Sequence, residues 1–77
     1  MKAYPEAVRV ELEGGRPCAV HWRRRVYGVR DVQDFWIVQG RWWSREERRL
    51  YQRLSTDRGG MELYRSGREW RLQRLVD

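Results

Sequence analysis

Residues 44–64, SREERRLYQRLSTDRGGMELY, admit two readings, and the choice between them decides the fold. As a helix, Ser44 followed three residues later by Glu47 is a capping box. Glu46 and Glu47 suit a first turn, Arg48, Arg49 and Arg53 suit the C-terminal end, and Leu50, Tyr51 and Leu54 give an apolar stripe. As a strand, the run from Leu50 to Thr56 ends in residues of fair strand propensity and enters Asp57-Arg58-Gly59-Gly60, a good hairpin turn. Beyond that turn Met61-Glu62-Leu63-Tyr64 alternates. A strand that leads into a hairpin needs a strand on the other side of it. The balance therefore falls to a turn or one short helical turn between about Ser44 and Arg49, then a strand from about Arg48.

Working outward, Ser66-Gly67 is a second tight turn, and Glu69 to Leu75 alternates, so the last three strands form a meander. Towards the N-terminus, Val8, Val10 and Leu12 alternate with Arg9, Glu11 and Glu13, Gly14-Gly15 supplies a turn, and Cys18, Val20 and Trp22 then face one way while Ala19, His21 and Arg23 face the other. Between Tyr27 and Val32 the alternation slips, which predicts a β-bulge near Gly28 or Asp31. Phe35-Trp36-Ile37-Val38 reads as strand up to Gly40. The expectation is an all-β fold: one small antiparallel domain over residues 1–77, a strongly curled sheet or half-closed barrel of five or six strands, with a mobile end at residues 1–5. Val10, Val20, Val29, Leu63, Trp70 and Leu72 take the inward phase and form the predicted core.

Composition narrows the function classes. A chain of 77 residues buries roughly 60% of its unfolded surface, so it needs reinforcement. Cys18 is its single cysteine, and five Trp, four Tyr and one Phe take the place of disulfides. A lone thiol, the absence of an 18-residue apolar run and no signal-peptide pattern predict a cytoplasmic protein without a membrane partner. Basic side chains outnumber acidic ones 17 to 11, a net charge of +6, and all but Lys2 are arginine. Arginine binds phosphate and stacks on bases, which suits nucleic acid. Genomic base composition or heat adaptation produces the same bias, and the sequence leaves that open.

No catalytic set emerges. Cys18-x-x-His21 exhausts the cysteines and histidines, two ligands short of a structural zinc, and on one strand the two point to opposite faces. Asp31 and Asp34 read as solvated charges. Neither Gly14-Gly15 nor Gly59-Gly60 opens a helix, so no phosphate-cradling loop is present. The expectation is a non-enzyme with no metal, no cofactor and no small-molecule substrate. What remains is basic and aromatic. The candidate nucleic-acid-binding residues are Arg23, Arg24, Arg25, Arg41, Trp42, Trp43, Arg48, Arg49 and Arg53, with one of the adjacent tryptophans exposed because neighbours on a strand face opposite ways.

The residues from Val20 onward, about three quarters of the chain, also carry a pattern. Trp22 is followed by arginines and Tyr27; Val29 and Val32 lead to Trp36; Gly40, Trp42 and Trp43 form Gly-x-Trp-Trp. Arg49 and Tyr51 precede a glycine turn, Glu62 to Arg65 reads Glu-Leu-Tyr-Arg, and Gly67, Trp70, Leu72 and Asp77 close the chain. This resembles a family of small uncharacterised bacterial domains, similar to the C-terminal domain of the Y-family-polymerase-like protein of the bacterial damage-inducible mutagenesis cassette. The resemblance implies a β-rich accessory or recruitment domain near DNA repair or translesion synthesis, without activity of its own, and transfers no site residues. The family ends Tyr-Asp, where this chain has Val76-Asp77. Two functions of different class follow: a module binding single-stranded nucleic acid or its backbone, or a protein-interaction or homodimerisation module that recruits a polymerase or clamp.

Overall fold

The computed structural model describes residues 6–42 and 45–76, apart from the side chains of Trp42 and Arg45. Six strands follow one another round a closed barrel: β1 (Glu6–Glu13), β2 (Arg16–Trp22), β3 (Arg25–Trp42), β4 (Arg45–Thr56), β5 (Gly59–Ser66) and β6 (Glu69–Val76). Every pairing is antiparallel, including the seam of β1 with β6. The all-β expectation holds, and the barrel closes fully. Because β4 begins at Arg45, Glu46 and Glu47 lie in strand and no helical turn forms there; Ser44 and the N-terminal end at 1–5 lie outside the described residues. Among the described residues no helix is long and apolar enough to cross a membrane.

Closure depends on two strands that change partners. β1 pairs with β6 over Glu6–Val8 and with β2 from Arg9 on; β3 pairs with β2 over Arg25–Gly28 and with β4 from Val29 on. An 18-residue strand drawn straight runs to about 60 Å, beyond the 37 Å longest extent of the molecule, so β3 must bend. It does so at two register shifts, between Val29 and Asp31 and between Val32 and Asp34, where the alternation slips. Gly28 sits at the crossing point. Asp57 donates its N–H to Gly28 O at 2.9 Å and accepts the Gly28 N–H on Oδ1 at 3.0 Å, and a Cβ at position 28 would meet Asp57 Oδ2 at 3.3 Å. The β4–β5 turn is thereby tied to the bend.

Inside, Val20, Leu54, Met61, Leu63 and Leu72 are fully buried with Trp22 and Tyr27 beside them, while Val8, Val10, Val29, Val32 and Trp70 pack partly buried against that group. Of the predicted core, Val20, Leu63 and Leu72 are sealed and Val10, Val29 and Trp70 form its rim. Leu12, next in the alternation of Val8 and Val10, is 47% exposed, beside a register shift whose extra residue lies on β2 between Pro17 and Ala19.

The outer face of β3, β4 and β5 carries a second packed layer. Trp36 stacks on Tyr51 (5.5 Å between ring centroids, 7° between planes), and Tyr51 meets Tyr64 at 5.1 Å. Tyr64 is buried, and that burial pushes its phenol above the usual 10, against the smaller opposing pull of Arg49 and Arg71. A raised folded pKa means the neutral phenol stabilises the fold. That stability is complete below pH 10 and is lost as pH climbs through the raised value. Tyrosinate absorbance should therefore show a step above pH 10 that Tyr64→Phe abolishes, and the variant's melting temperature should fall less than the parent's over the same range.

Candidate nucleic-acid interface

The turn joining β2 to β3 is two residues long, Arg23-Arg24, with Trp22 opposite Arg25. A two-residue hairpin turn matching the sheet twist needs positive φ at both central positions, which favours Asn-Gly. The β1–β2 turn complies with Gly14-Gly15, at φ 60° and 82°. The β2–β3 turn instead places two arginines there, at φ 52° and 65°. Each such residue carries roughly 1–2 kcal/mol of steric cost that glycine avoids.

These arginines border an open cleft of about 420 Å³ lined by Arg9, His21, Trp22, Arg23, Arg24, Arg25 and Val26. The ladder assembles it: Arg9 pairs with His21 and His21 with Val26, so the three form one outward row across β1, β2 and β3. Glu6 organises one wall. Its Oε1 accepts the Trp22 Nε1–H at 2.8 Å, and its Oε2 accepts from Arg23 at 2.7 Å, holding that guanidinium 4.7 Å from the Trp22 ring centroid. On the other wall His21 Nε2 lies 2.5 Å from Glu11 Oε2. Among the described residues no carboxylate pairs with Arg9, Arg24 or Arg25. Three exposed cations thus border one concavity without an ion-pair partner of their own, while Glu6 and Glu11 are engaged by Arg23 and His21.

The chain matches no protein-family model, no curated protein and no solved structure. The site must therefore be judged on its own geometry, and the nine predicted residues fall into separate groups. Arg23, Arg24 and Arg25 form the cleft. Arg49 and Arg53 belong to the outer aromatic layer: Arg49 lies 4.5 Å from the Tyr64 centroid and 3.3 Å from Glu47 Oε1, and Arg53 lies 6.0 Å from the Trp36 centroid and 3.8 Å from Glu62 Oε1. Glu62, 7% exposed, also accepts from Arg74 at 2.8 Å. Those two arginines are held inside the protein's own ion pairs.

Arg41 and Arg48 are exposed near the far end of the β3–β4 hairpin, away from the cleft in the strand order. They share a face with Phe35 and Ile37, 52% and 45% exposed, since cross-strand partners point the same way. The structure does not bring Arg41 and Arg48 together with Arg23–Arg25. The side chain of Trp42 and all of Trp43 lie outside the described residues. Sequence reasoning missed Arg9. Its outward phase was visible, but its position opposite His21 follows from the extra residue of β2 at Cys18. Cys18 and His21 are both half-buried, and the described residues contain no group of three or more His, Cys, Asp or Glu placed to hold a metal ion.

Proposed function

We propose that this chain is a non-enzymatic cytoplasmic module that binds the phosphate backbone of nucleic acid, single strands included, in the cleft between β1, β2 and β3. The observation that carries this reading is the set Arg9, Arg24 and Arg25: like charges gathered round a concavity, none of them paired with a carboxylate among the described residues, one of them in a backbone conformation that arginine disfavours. Guanidinium forks match phosphate oxygens bidentately, so an anion entering the cleft relieves the mutual repulsion of its walls. Backbone contact is favoured over base stacking here. The cleft's aromatic, Trp22, is 8% exposed and its indole N–H is already donated to Glu6. A repair or translesion setting is supported by the family resemblance alone.

The test is a salt titration. Binding of a labelled single strand should weaken from about 50 to 200 mM salt along a straight log–log line with a slope near −0.7 for each phosphate neutralised, and near −0.9 for duplex. A protein with no salt-dependent affinity for either at low ionic strength would overturn the proposal. The rival role, protein interaction, has its own support in the exposed Phe35 and Ile37.

A further inference from the structure

From Val29 to Trp42, β3 is paired on one side by β4 alone; its β2 contacts end at Gly28, and among the described residues no strand lies along its other edge. A long free edge is a template for another strand. Its first part is irregular at the two bulges, but Asp34 to Trp42 runs in unbroken register with β4.

We infer that two copies of this chain join along this edge, antiparallel, about a two-fold axis beside Trp36, to make one continuous sheet. This is independent of the nucleic-acid reading. The register is chosen by both faces at once. Placing Trp36 opposite itself sets Phe35 opposite Ile37 of the second copy, twice, so the two exposed apolar side chains of each protomer cover those of the other. On that face the row continues through Leu50, which pairs with Ile37, and Gln52, which pairs with Phe35. On the opposite face, the stacked row Tyr64–Tyr51–Trp36 runs on into the same three rings of the second copy. Sliding the partner by two residues to centre on Ile37 places Phe35 against Gln39 and breaks both rows. The acidic pair Asp31 and Asp34 on this edge argues against a nucleic-acid occupant, whereas the order of apolar and aromatic side chains from Phe35 to Ile37 complements itself in a second copy.

Sedimentation equilibrium of the intact chain should give twice its 9.5 kDa mass at high concentration. Ile37→Lys should return it to monomer with an unchanged far-UV circular dichroism spectrum, because a charge on an edge strand blocks pairing. The register is read by cross-linking in a Cys18→Ser background. Residues paired across a two-fold lie about 4.5–5.5 Å apart at Cα, within disulfide reach, so Trp36→Cys should link to itself in air faster than Phe35→Cys or Ile37→Cys. A chain that stays monomeric at all concentrations overturns the inference, even if the edge accepts a strand from another protein. So does a dimer indifferent to Ile37→Lys, or faster linkage at position 35 or 37.

Discussion

Leu72→Ala should destabilise the protein by about 2–5 kcal/mol, the range for removing a sealed leucine from a core. Leu72 is fully buried and stands where the barrel closes: it is paired with Glu6 on β1 and Leu63 on β5, in a seam that among the described residues also pairs Ala7 with Arg71 and Val8 with Trp70. The cavity would therefore open directly beside the ladder that closes the barrel. A domain of this size has roughly 4–12 kcal/mol in total at about 0.05–0.15 kcal/mol per residue, and the loss corresponds to a drop in melting temperature of about 10 °C or more. Leu75, on the same strand but 47% exposed, should tolerate alanine at less than about 1 kcal/mol. Urea or thermal unfolding of the two variants side by side checks this. Equal shifts for Leu72→Ala and Leu75→Ala would show that the seam does not carry the closure.

How much of this was legible in the sequence varies with the kind of signal. Alternation located the strands, and the slip after Tyr27 located the bend that lets β3 pass from β2 to β4. Turn residues located Gly14-Gly15 and, within one or two residues, the other two turns: the sequence points to Asp57-Arg58-Gly59-Gly60 where β5 already begins at Gly59, and to Ser66-Gly67 where the strands leave Gly67-Arg68 between them. The Arg23-Arg24 turn carries no such signal, because arginine is not a residue that positive φ selects; only the inward phase of Trp22 and Tyr27, five residues apart, implies it. Register was less legible still. Continued without a bulge from Glu13 opposite Arg16, the first hairpin would set Arg9 against Val20, in the core. One unpaired residue near Cys18 restores Val10 to Val20 and moves Arg9 opposite His21, and that single shift creates the cleft wall. The same parity separates Arg48 from Arg49. Adjacent in the sequence and alike in chemistry, one is solvated beside Phe35 and Ile37, and the other lies over Tyr64 with a carboxylate partner. A cluster of arginines in a sequence therefore reports total charge, while strand phase decides which of them an external anion can reach.

That distinction gives the largest functional effect. Replacing Arg9 with Gln, Arg24 with Gly and Arg25 with Gln together should weaken single-strand binding by roughly two to three orders of magnitude at about 50 mM salt and make the log–log slope shallower by about 2, if each arginine neutralises one phosphate at about 0.7 per contact. Stability should not fall with it. Arg24→Gly relieves about 1 kcal/mol of strain at a position with φ of 65°, the three side chains are exposed without carboxylate partners, and their mutual repulsion is removed. A variant that melts at or above the parent's temperature while losing affinity is what a strained binding turn predicts, since stability at such sites is sacrificed to function. The control is charge-matched: Arg41→Gln, Arg48→Gln and Arg68→Gln remove the same three charges from exposed positions outside the cleft. If affinity follows net charge alone, both triples lose it equally, and the cleft is only part of a basic surface. If the cleft is the site, the control retains most of the binding and nearly the parent's slope, because counterion release counts the phosphates that are contacted and not the charge carried elsewhere.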